Sequence, residues 1–525
     1  MTAATATTTR PEPAAASRRE AWWLLGLCAL ALALRLPNLS RSLFNDETVS
    51  FALAQRGFGH MLGLFGYEAN GAPYPLLLWP VTRIFGTSVE VLRAPALIVG
   101  VASVPATWWA VRGLLAERWV ALLAAALLAL NPMAVWYSQV ARSYALVVLG
   151  ACLAIGALAR AVERPERRGM WALYVLATAL LAYSDLLAPA ILLPAELLLA
   201  GRAGREGLGR TVAALVAAGV LCVPLLIAAI VSLGRRDALY WLPKLDRGLV
   251  ETGLQEFSGG YSGVTAVRWL TLLALVALLG GAAVALRRRG AGRSFWWSGE
   301  PVEWLVALAW GVLPPALLLV VSAKFAVFWP RYAIVALPGL CVLAAVSVRA
   351  LLTGTGTAAR ALAAGSVAAL VAAGAYADGK QASATQQDWP AVMSWLRAER
   401  GAGQPIVLDN VLMLPSMGYY DPALRVDGKL VVWEWRDTPL PAEVHGFKDP
   451  TGYGRAPDGP PSVALVQRLA REGRGSLWLV FGEVDADEQG HPSEMAAVRW
   501  VGAHCSVQRR AGTGVEVLRA RSCRA

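Results

Sequence analysis

The sequence predicts a mostly helical, polytopic membrane bundle followed by a smaller α/β domain that faces water. Three observations predict it. Of 525 residues, 56% are hydrophobic and only 16% are charged, against roughly a quarter charged in soluble domains. The apolar residues gather in runs long enough to cross a bilayer, joined by short Arg-rich links. Past Asp378 those runs stop, and brief apolar stretches alternate with amphipathic ones.

Residues 1–20 are rich in Thr, Ala and Pro and end near Arg18-Arg19, a composition that reads as a disordered cytoplasmic tail. Ala21 to Leu36 is apolar but lacks a small-residue cleavage site, so it reads as an uncleaved first span that leaves the bilayer at Arg35-Leu36-Pro37-Asn38. Further spans fall at roughly 91–111, 119–136, 144–160, 170–184, 186–201, 211–231, 266–286, 302–322, 332–350 and 361–377, about eleven in all. Arg112/Arg118, Arg160/Arg164/Arg167/Arg168, Arg202/Arg205/Arg210, Arg287/Arg288/Arg289/Arg293 and Arg349/Arg360 occupy every second link. That alternation predicts a cytoplasmic N-terminus. It places the loop 38–90, the loop 232–265 and residues 378–525 outside, with the membrane domain at 21–377.

The formal net charge of +12 is accounted for by these links. No basic stripe is interleaved with aromatics, which argues against a nucleic-acid partner.

Within 378–525, Q-D-W-P-A-V-M-S-W-L-R-A-E-R and V-A-L-V-Q-R-L-A have helical apolar spacing, while P-I-V-L-D-N-V-L and S-L-W-L-V-F-G read as strands. Helices alternating with strands predict an α/β domain with a parallel sheet. It contains no G-x-G-x-x-G, P-loop or G-x-S-x-G motif. Cys28, Cys152, Cys222 and Cys341 lie in apolar runs and read as small buried hydrophobes. Cys505 and Cys523 lie in the polar part, where an extracytoplasmic location permits a disulfide that the sequence leaves open. The four histidines show no ligand spacing, so no zinc site is expected.

The residues suited to chemistry sit at the predicted outer ends of the spans. L-F-N-D-E-T-V-S-F-A-L places Asp46 and Glu47 side by side just after the first span, and the same loop holds Glu68, Asn70 and Tyr74. Asp46 could simply cap a short helix carrying Thr48 to Arg56, but a cap does not account for a second acid next to hydrocarbon. Either carboxylate could act as a base there if its neighbours keep it ionised. Arg142, Lys324 and Arg331 depart from the positive-inside pattern. They need a partner, either an acid such as Asp46, Glu47 or Asp185, or a phosphate, which the planar guanidinium fork grips through two oxygens. Contact with lipid headgroups is the plainer alternative. Trp136, Tyr137, Tyr144, Trp329 and Tyr332 belong either to an interfacial belt or to a sugar-stacking surface.

Four motifs in this order, N-D-E (45–47), E-A-N-G-A-P-Y-P-L-L-L-W (68–79), W-Y-S-Q-V-A-R-S-Y-A-L (136–146) and W-P-R-Y-A-I-V-A-L-P (329–338), with D-W-P-A-V at 388–392, resemble the GT-C superfamily of integral-membrane glycosyltransferases. The likeness is to the family 39-like bacterial group related to protein O-mannosyltransferases and aminoarabinose transferases. It implies a GT-C-like bundle in the bacterial plasma membrane that moves a sugar (mannose or an arabinose-type pentose) from a polyprenyl-phosphate donor to a hydroxyl of a glycan, lipid or protein acceptor. It implies Asp46 as the general base and Arg142 and Arg331 on the donor phosphate; Glu47, beside Asp46, is the second catalytic candidate. Lys324 and Tyr332 are further candidates for that phosphate; Glu68, Asn70, Tyr74, Tyr137, Gln139 and Asp185 are candidates for the acceptor or sugar. Two departures stand out: G-A-P-Y-P replaces the family's H-P-P-x-Y-Y, and Y-S-D-L, with Asp185, replaces Y-T-H-Y.

One base and no covalent intermediate would invert the anomeric carbon. Two adjacent carboxylates are too few ligands to argue for a divalent ion, so no cofactor is expected. Membrane lipids are the remaining partner. A transporter or flippase of a lipid-linked sugar is the main alternative, yet the polar groups gather at outer ends rather than along a path across the bilayer. A third reading makes the bundle an anchor for a binding module at 378–525.

Overall fold

The computed structural model describes residues 17–55, 73–115, 117–234, 242–289, 300–353, 356–409, 413–423, 430–432, 462–482 and 492–524. The chain divides into two compact units. One comprises Met1–Leu39, Phe65–Tyr74 and Arg93–Ala384, and the other Ser40–Leu64, Pro75–Leu92 and Thr385–Ala525. Much of the loop 38–90 is therefore grouped with the C-terminal residues.

The first unit is helical. Each of the eleven predicted spans coincides with helix, and among the described residues five helices are long and apolar enough to cross a membrane, or six if one bent pair counts as a span. Helix Arg18–Arg35 starts at a capping box: Ser17 Oγ accepts the Glu20 N–H at 3.3 Å and Glu20 Oε2 accepts the Ser17 N–H at 3.3 Å. The predicted span 119–136 is two pieces, Arg118–Ala129 and Pro132–Tyr137. The break is local chemistry. Pro132 disfavours helical backbone at Asn131, and Asn131 instead caps the second piece, accepting the Ala134 N–H at 2.9 Å. Likewise 302–322 bends by 43° between Gly311 and Leu313, ahead of Pro314-Pro315.

Packing within this unit depends on small residues. A methyl on Gly339 would lie 2.6 Å from the Gly311 nitrogen, so helices Glu300–Gly311 and Leu337–Leu352 cross at backbone contact. Near that crossing helix's far end, Arg349 bonds Glu303 at 2.7 Å and Glu117 at 3.2 Å. At the start of the first helix, Glu20 lies 3.8 Å from Arg112 and 3.5 Å from Arg118. Several arginines of the links are thus also structural ion-pair partners.

The second unit holds a five-stranded sheet of order β2-β1-β3-β5-β4, with β1 Ile406–Leu408, β2 Leu430–Val432, β3 Leu477–Gly482, β4 Ser506–Gly512 and β5 Val515–Arg521. The pairs β1/β2 and β1/β3 are parallel, whereas β3/β5 and β4/β5 are antiparallel. The expected parallel sheet is therefore mixed. The hairpin escapes a hydrophobic reading because β4 is a polar edge strand with most of its side chains exposed. Strand β3 shows the period of two directly: Trp478 and Val480 enter one core with Trp389, Met393 and Met417, while Leu477, Leu479 and Phe481 enter the other with Val466, Leu469 and Val501. Cys505 and Cys523 form a disulfide that brackets the hairpin, with Cα atoms 4.0 Å apart.

Candidate functional site

In the second unit, the acid pair occupies the first turn of helix Asn45–Ala54. The start of this helix is held from three sides. The Asn45 N–H donates to Gln387 Oε1 at 2.9 Å, the Ser416 hydroxyl donates to Asn45 Oδ1 at 2.8 Å, and Thr48 Oγ1 lies 2.8 Å from Ser416 Oγ. Leu43 donates its N–H to the Tyr420 hydroxyl at 2.7 Å. Gln387 opens the Q-D-W-P turn, whose Asp388 caps helix Trp389–Glu399 by accepting the Ala391 N–H at 3.2 Å. The D-W-P-A-V segment is thus joined, through Gln387, to the helix that carries the acids.

The two acids differ. Glu47 is fully buried and accepts the Phe44 N–H at 3.2 Å, satisfying a backbone donor at the helix start. Asp46 is half-buried. The N-cap residue is Phe44, so capping the helix is not the part played by Asp46.

In the first unit, the W-Y-S-Q-V-A-R-S-Y and W-P-R-Y segments meet the loop 232–265. Helix Arg247–Gly259 begins at Asp246, whose side chain accepts the Leu249 N–H at 2.7 Å. It buries Glu256, which is 7% exposed. Glu256 Oε2 accepts the Tyr137 hydroxyl at 3.2 Å, and the Tyr137 and Tyr261 hydroxyls are 3.2 Å apart. Tyr261 stacks on Trp136 at 4.3 Å between centroids, and Tyr137 meets Tyr144 edge-on at 4.7 Å. The Arg331 guanidinium lies 5.9 Å from the Tyr144 ring centre and 5.6 Å from that of Trp329. Burial pushes the Glu256 carboxyl up to about 7, opposed by the positive charge of Arg331 and by the Tyr137 and Tyr261 hydroxyls. Burial likewise raises Tyr261 above the ordinary phenol value.

Tyr137 and Arg331 are thus brought into one cluster. Arg142 is half-buried two residues before Tyr144, and Tyr332 is half-buried beside Arg331. Lys324 is exposed, with its ammonium 5.6 Å from the Phe325 ring. Gln139 holds the end of the first helix, its Nε2 donating to Arg35 O at 2.9 Å and Pro37 O at 2.6 Å. Asp185 is buried in a turn and accepts the Leu187 N–H at 2.9 Å. Tyr74 is 1% exposed and its hydroxyl accepts the Ala96 N–H at 3.3 Å. Glu68 and Asn70 lie outside the described residues. Glu256 and Tyr261 were not candidates from sequence. Their signal was a carboxylate and a tyrosine flanking a Gly-Gly pair at 259–260 in the loop 232–265. Among the described residues, no three His, Cys, Asp or Glu side chains group as a metal site.

The family model described as dolichyl-phosphate-mannose-protein mannosyltransferase matches residues 72–231. No curated protein matches the chain in sequence. Among solved structures, the chain is similar to ArnT from Cupriavidus metallidurans in the apo state, with TM-score 0.55 and 14% identity over 95% of this chain and 98% of that one. ArnT from the same organism bound to undecaprenyl phosphate matches with TM-score 0.56 and 12% identity, over 96% of this chain and 98% of that one. The Archaeoglobus fulgidus oligosaccharyltransferase in complex with Zn and sulfate matches with TM-score 0.54 and 14% identity, over 94% of this chain and 72% of that one. The chain is a multi-pass membrane protein that shares the fold of ArnT and of the Archaeoglobus fulgidus oligosaccharyltransferase, and its residues 72–231 match the dolichyl-phosphate-mannose-protein mannosyltransferase family.

Proposed function

We propose that the protein is an inverting glycosyltransferase that moves a sugar from a polyprenyl-phosphate donor to an acceptor hydroxyl on the outer face of the membrane. The observation that carries this reading is the likeness over 96% of the chain to a protein solved with undecaprenyl phosphate bound. The Arg331–tyrosine cluster supports it, because a guanidinium among aromatic rings suits a phosphate beside a sugar.

The chemistry follows from the donor. The acceptor oxygen attacks the anomeric carbon as the bond from that carbon to the phosphate oxygen breaks. The bonding pair leaves with the phosphate as a monoester dianion, a good leaving group because its second pKa is only about 6, so no general acid is required. Arg331 and Arg142 stabilise the charge that grows on the departing oxygen, with Tyr332 and Lys324 as further candidates. Asp46 takes the acceptor proton in the same step, and attack on the face opposite the leaving group inverts the carbon. Glu47, occupied by the Phe44 N–H, positions the helix that presents Asp46.

The test is sugar transfer by the purified protein from radiolabelled polyprenyl-phosphate sugars in nanodiscs. Transfer that needs Asp46 and yields an inverted linkage is expected. Normal transfer by Asp46→Asn would remove Asp46 from its role, and lipid-linked sugar crossing vesicles without any transfer would favour a flippase.

A further inference from the structure

Glu256 is a buried acid that the proposed mechanism does not use. Hydroxyls approach it from two elements: Tyr137 of helix Pro132–Tyr137 bonds it at 3.2 Å, and Tyr261 of the 3-10 turn Gly260–Ser262 adds a second hydroxyl to the same network. Among the described residues, the cation that reaches this network is Arg331 of the 3-10 segment Pro330–Ala336, which lies 5.9 Å from the ring of Tyr144, itself edge-on to Tyr137, and whose charge acts on Glu256, Tyr137 and Tyr261. Three other charged groups on elements packed against helix Arg247–Gly259 have partners of their own, and Arg287 and Arg360 stand near the far ends of their helices. Arg268 lies over the Trp269 ring, Asp378 accepts from Gln381 at 2.9 Å, and Lys380 lies over the Tyr376 ring. On its own helix, Arg247 pairs with Glu251 at the surface.

We infer, on the premise that Arg331 binds the donor phosphate as proposed above, that Glu256 is the internal counter-charge of Arg331 and takes up a proton when a phosphate occupies that arginine. A buried carboxylate is tolerated while a nearby cation offsets its lost hydration. A phosphate drawn to Arg331 brings a second negative charge into the same low-dielectric surroundings. Two like charges sharing one cation raise the proton affinity of the weaker acid, which is the carboxyl. The proton comes from solvent, no covalent bond changes, and the protonated carboxyl keeps its place among the tyrosine hydroxyls by donating instead of accepting. Glu256 is in this sense a positioning residue, because it acts on the substrate through Arg331. It makes Arg331 available to phosphate without leaving an uncompensated cation in the empty site.

The sign of the pH dependence is fixed by this exchange. Phosphate binds best with Glu256 protonated, so affinity is greatest below the carboxyl's value in the empty protein and falls as pH rises through it. The probe is an undecaprenyl phosphate methyl ester, whose single charge does not titrate between about pH 5 and pH 9. Binding is measured on the full-length protein in nanodiscs. For each unit by which phosphate raises the carboxyl's pKa, wild-type affinity should fall about tenfold between pH 6 and pH 9. Glu256→Gln should bind at all pH values about as tightly as wild type does at pH 6. Calorimetry of the wild type in two buffers of different ionisation enthalpy should show net proton uptake near pH 7.5, a measurement independent of how well the variant folds.

A wild type that binds the ester with an Arg331-dependent affinity but without pH dependence or proton uptake overturns the role of Glu256 alone. The same holds if Glu256→Gln keeps the wild-type pH profile. Failure of the wild type to bind the ester at any pH, or equal binding by Arg331→Ala, overturns the phosphate assignment and this inference together.

Discussion

Glu47 accepts the backbone N–H of Phe44 at 3.2 Å, so the second carboxylate of the N-D-E motif is part of the helix start that presents the first, Asp46. The two adjacent acids therefore stand in different surroundings. One is buried and bonded to the backbone, and the other is half-buried.

This division predicts separable phenotypes. Asp46→Asn should lower kcat by about a hundredfold to ten-thousandfold, the usual range for a positioned base, with thermal stability unchanged. Glu47→Ala should cost about 1 kcal/mol of stability through the lost cap, and Glu47→Gln less, since its amide oxygen can still accept. Thermal unfolding and steady-state transfer assays on the same preparations check both, and a stability loss confined to Asp46→Asn would reverse the assignment.

Arg331 should behave as a two-pronged phosphate ligand. Removing hydrogen bonds to a charged group costs about 1.5–3 kcal/mol, so Arg331→Ala should raise KM for the donor by roughly ten- to a hundredfold. Arg331→Lys should recover only part of this, because an ammonium lacks the planar fork. Donor titrations at saturating acceptor provide the measurement; equal KM values for all three proteins would count against phosphate contact.

Arg349 is predicted to matter for stability alone. Its guanidinium joins Glu303 at 2.7 Å and Glu117 at 3.2 Å, and the Arg349 and Glu303 side chains are 7% and 3% exposed. Arg349→Met leaves Glu303 buried without its partner, at a cost of about 3–5 kcal/mol. Combining it with Glu303→Gln should restore much of the loss. A double-mutant cycle in detergent tests this, and simple additivity would show that the pair is not coupled.

The Cys505–Cys523 disulfide closes the open end of the β4–β5 hairpin across a separation of 18 residues. Chain-entropy arguments give about 3 kcal/mol for a loop of that size. Reduction, or replacement of both cysteines by serine, should raise hydrogen exchange in residues 506–521 before it affects helix Val463–Glu472. Unchanged exchange in the hairpin would mean that β3/β5 pairing alone holds it.

Much of this protein was legible from sequence, for reasons that lie in the solvent. A bilayer demands long apolar helices whatever their neighbours, so the spans could be read one at a time, and each coincides with helix. Strand β3 was legible as a continuous apolar run buried on both faces, and helix Val463–Glu472 because its apolar residues repeat along one buried face. The antiparallel hairpin was not, since polar edge strands carry no such periodicity and their pairing is settled by the partner strand.

The sequence by itself determined the chemical inventory and its order: a membrane bundle, an acid pair after the first span, arginines at the ends of later ones. Only the tertiary structure decided which groups act on one another. It made Glu47 a cap, tied Gln139 to the end of the first helix, and set Glu256 among Tyr137, Tyr261 and the field of Arg331. The physical reason is range. Burial of an apolar run depends on composition along the chain, whereas a hydrogen bond or charge pair depends on ångströms between residues such as Tyr137 and Glu256, which are 119 positions apart.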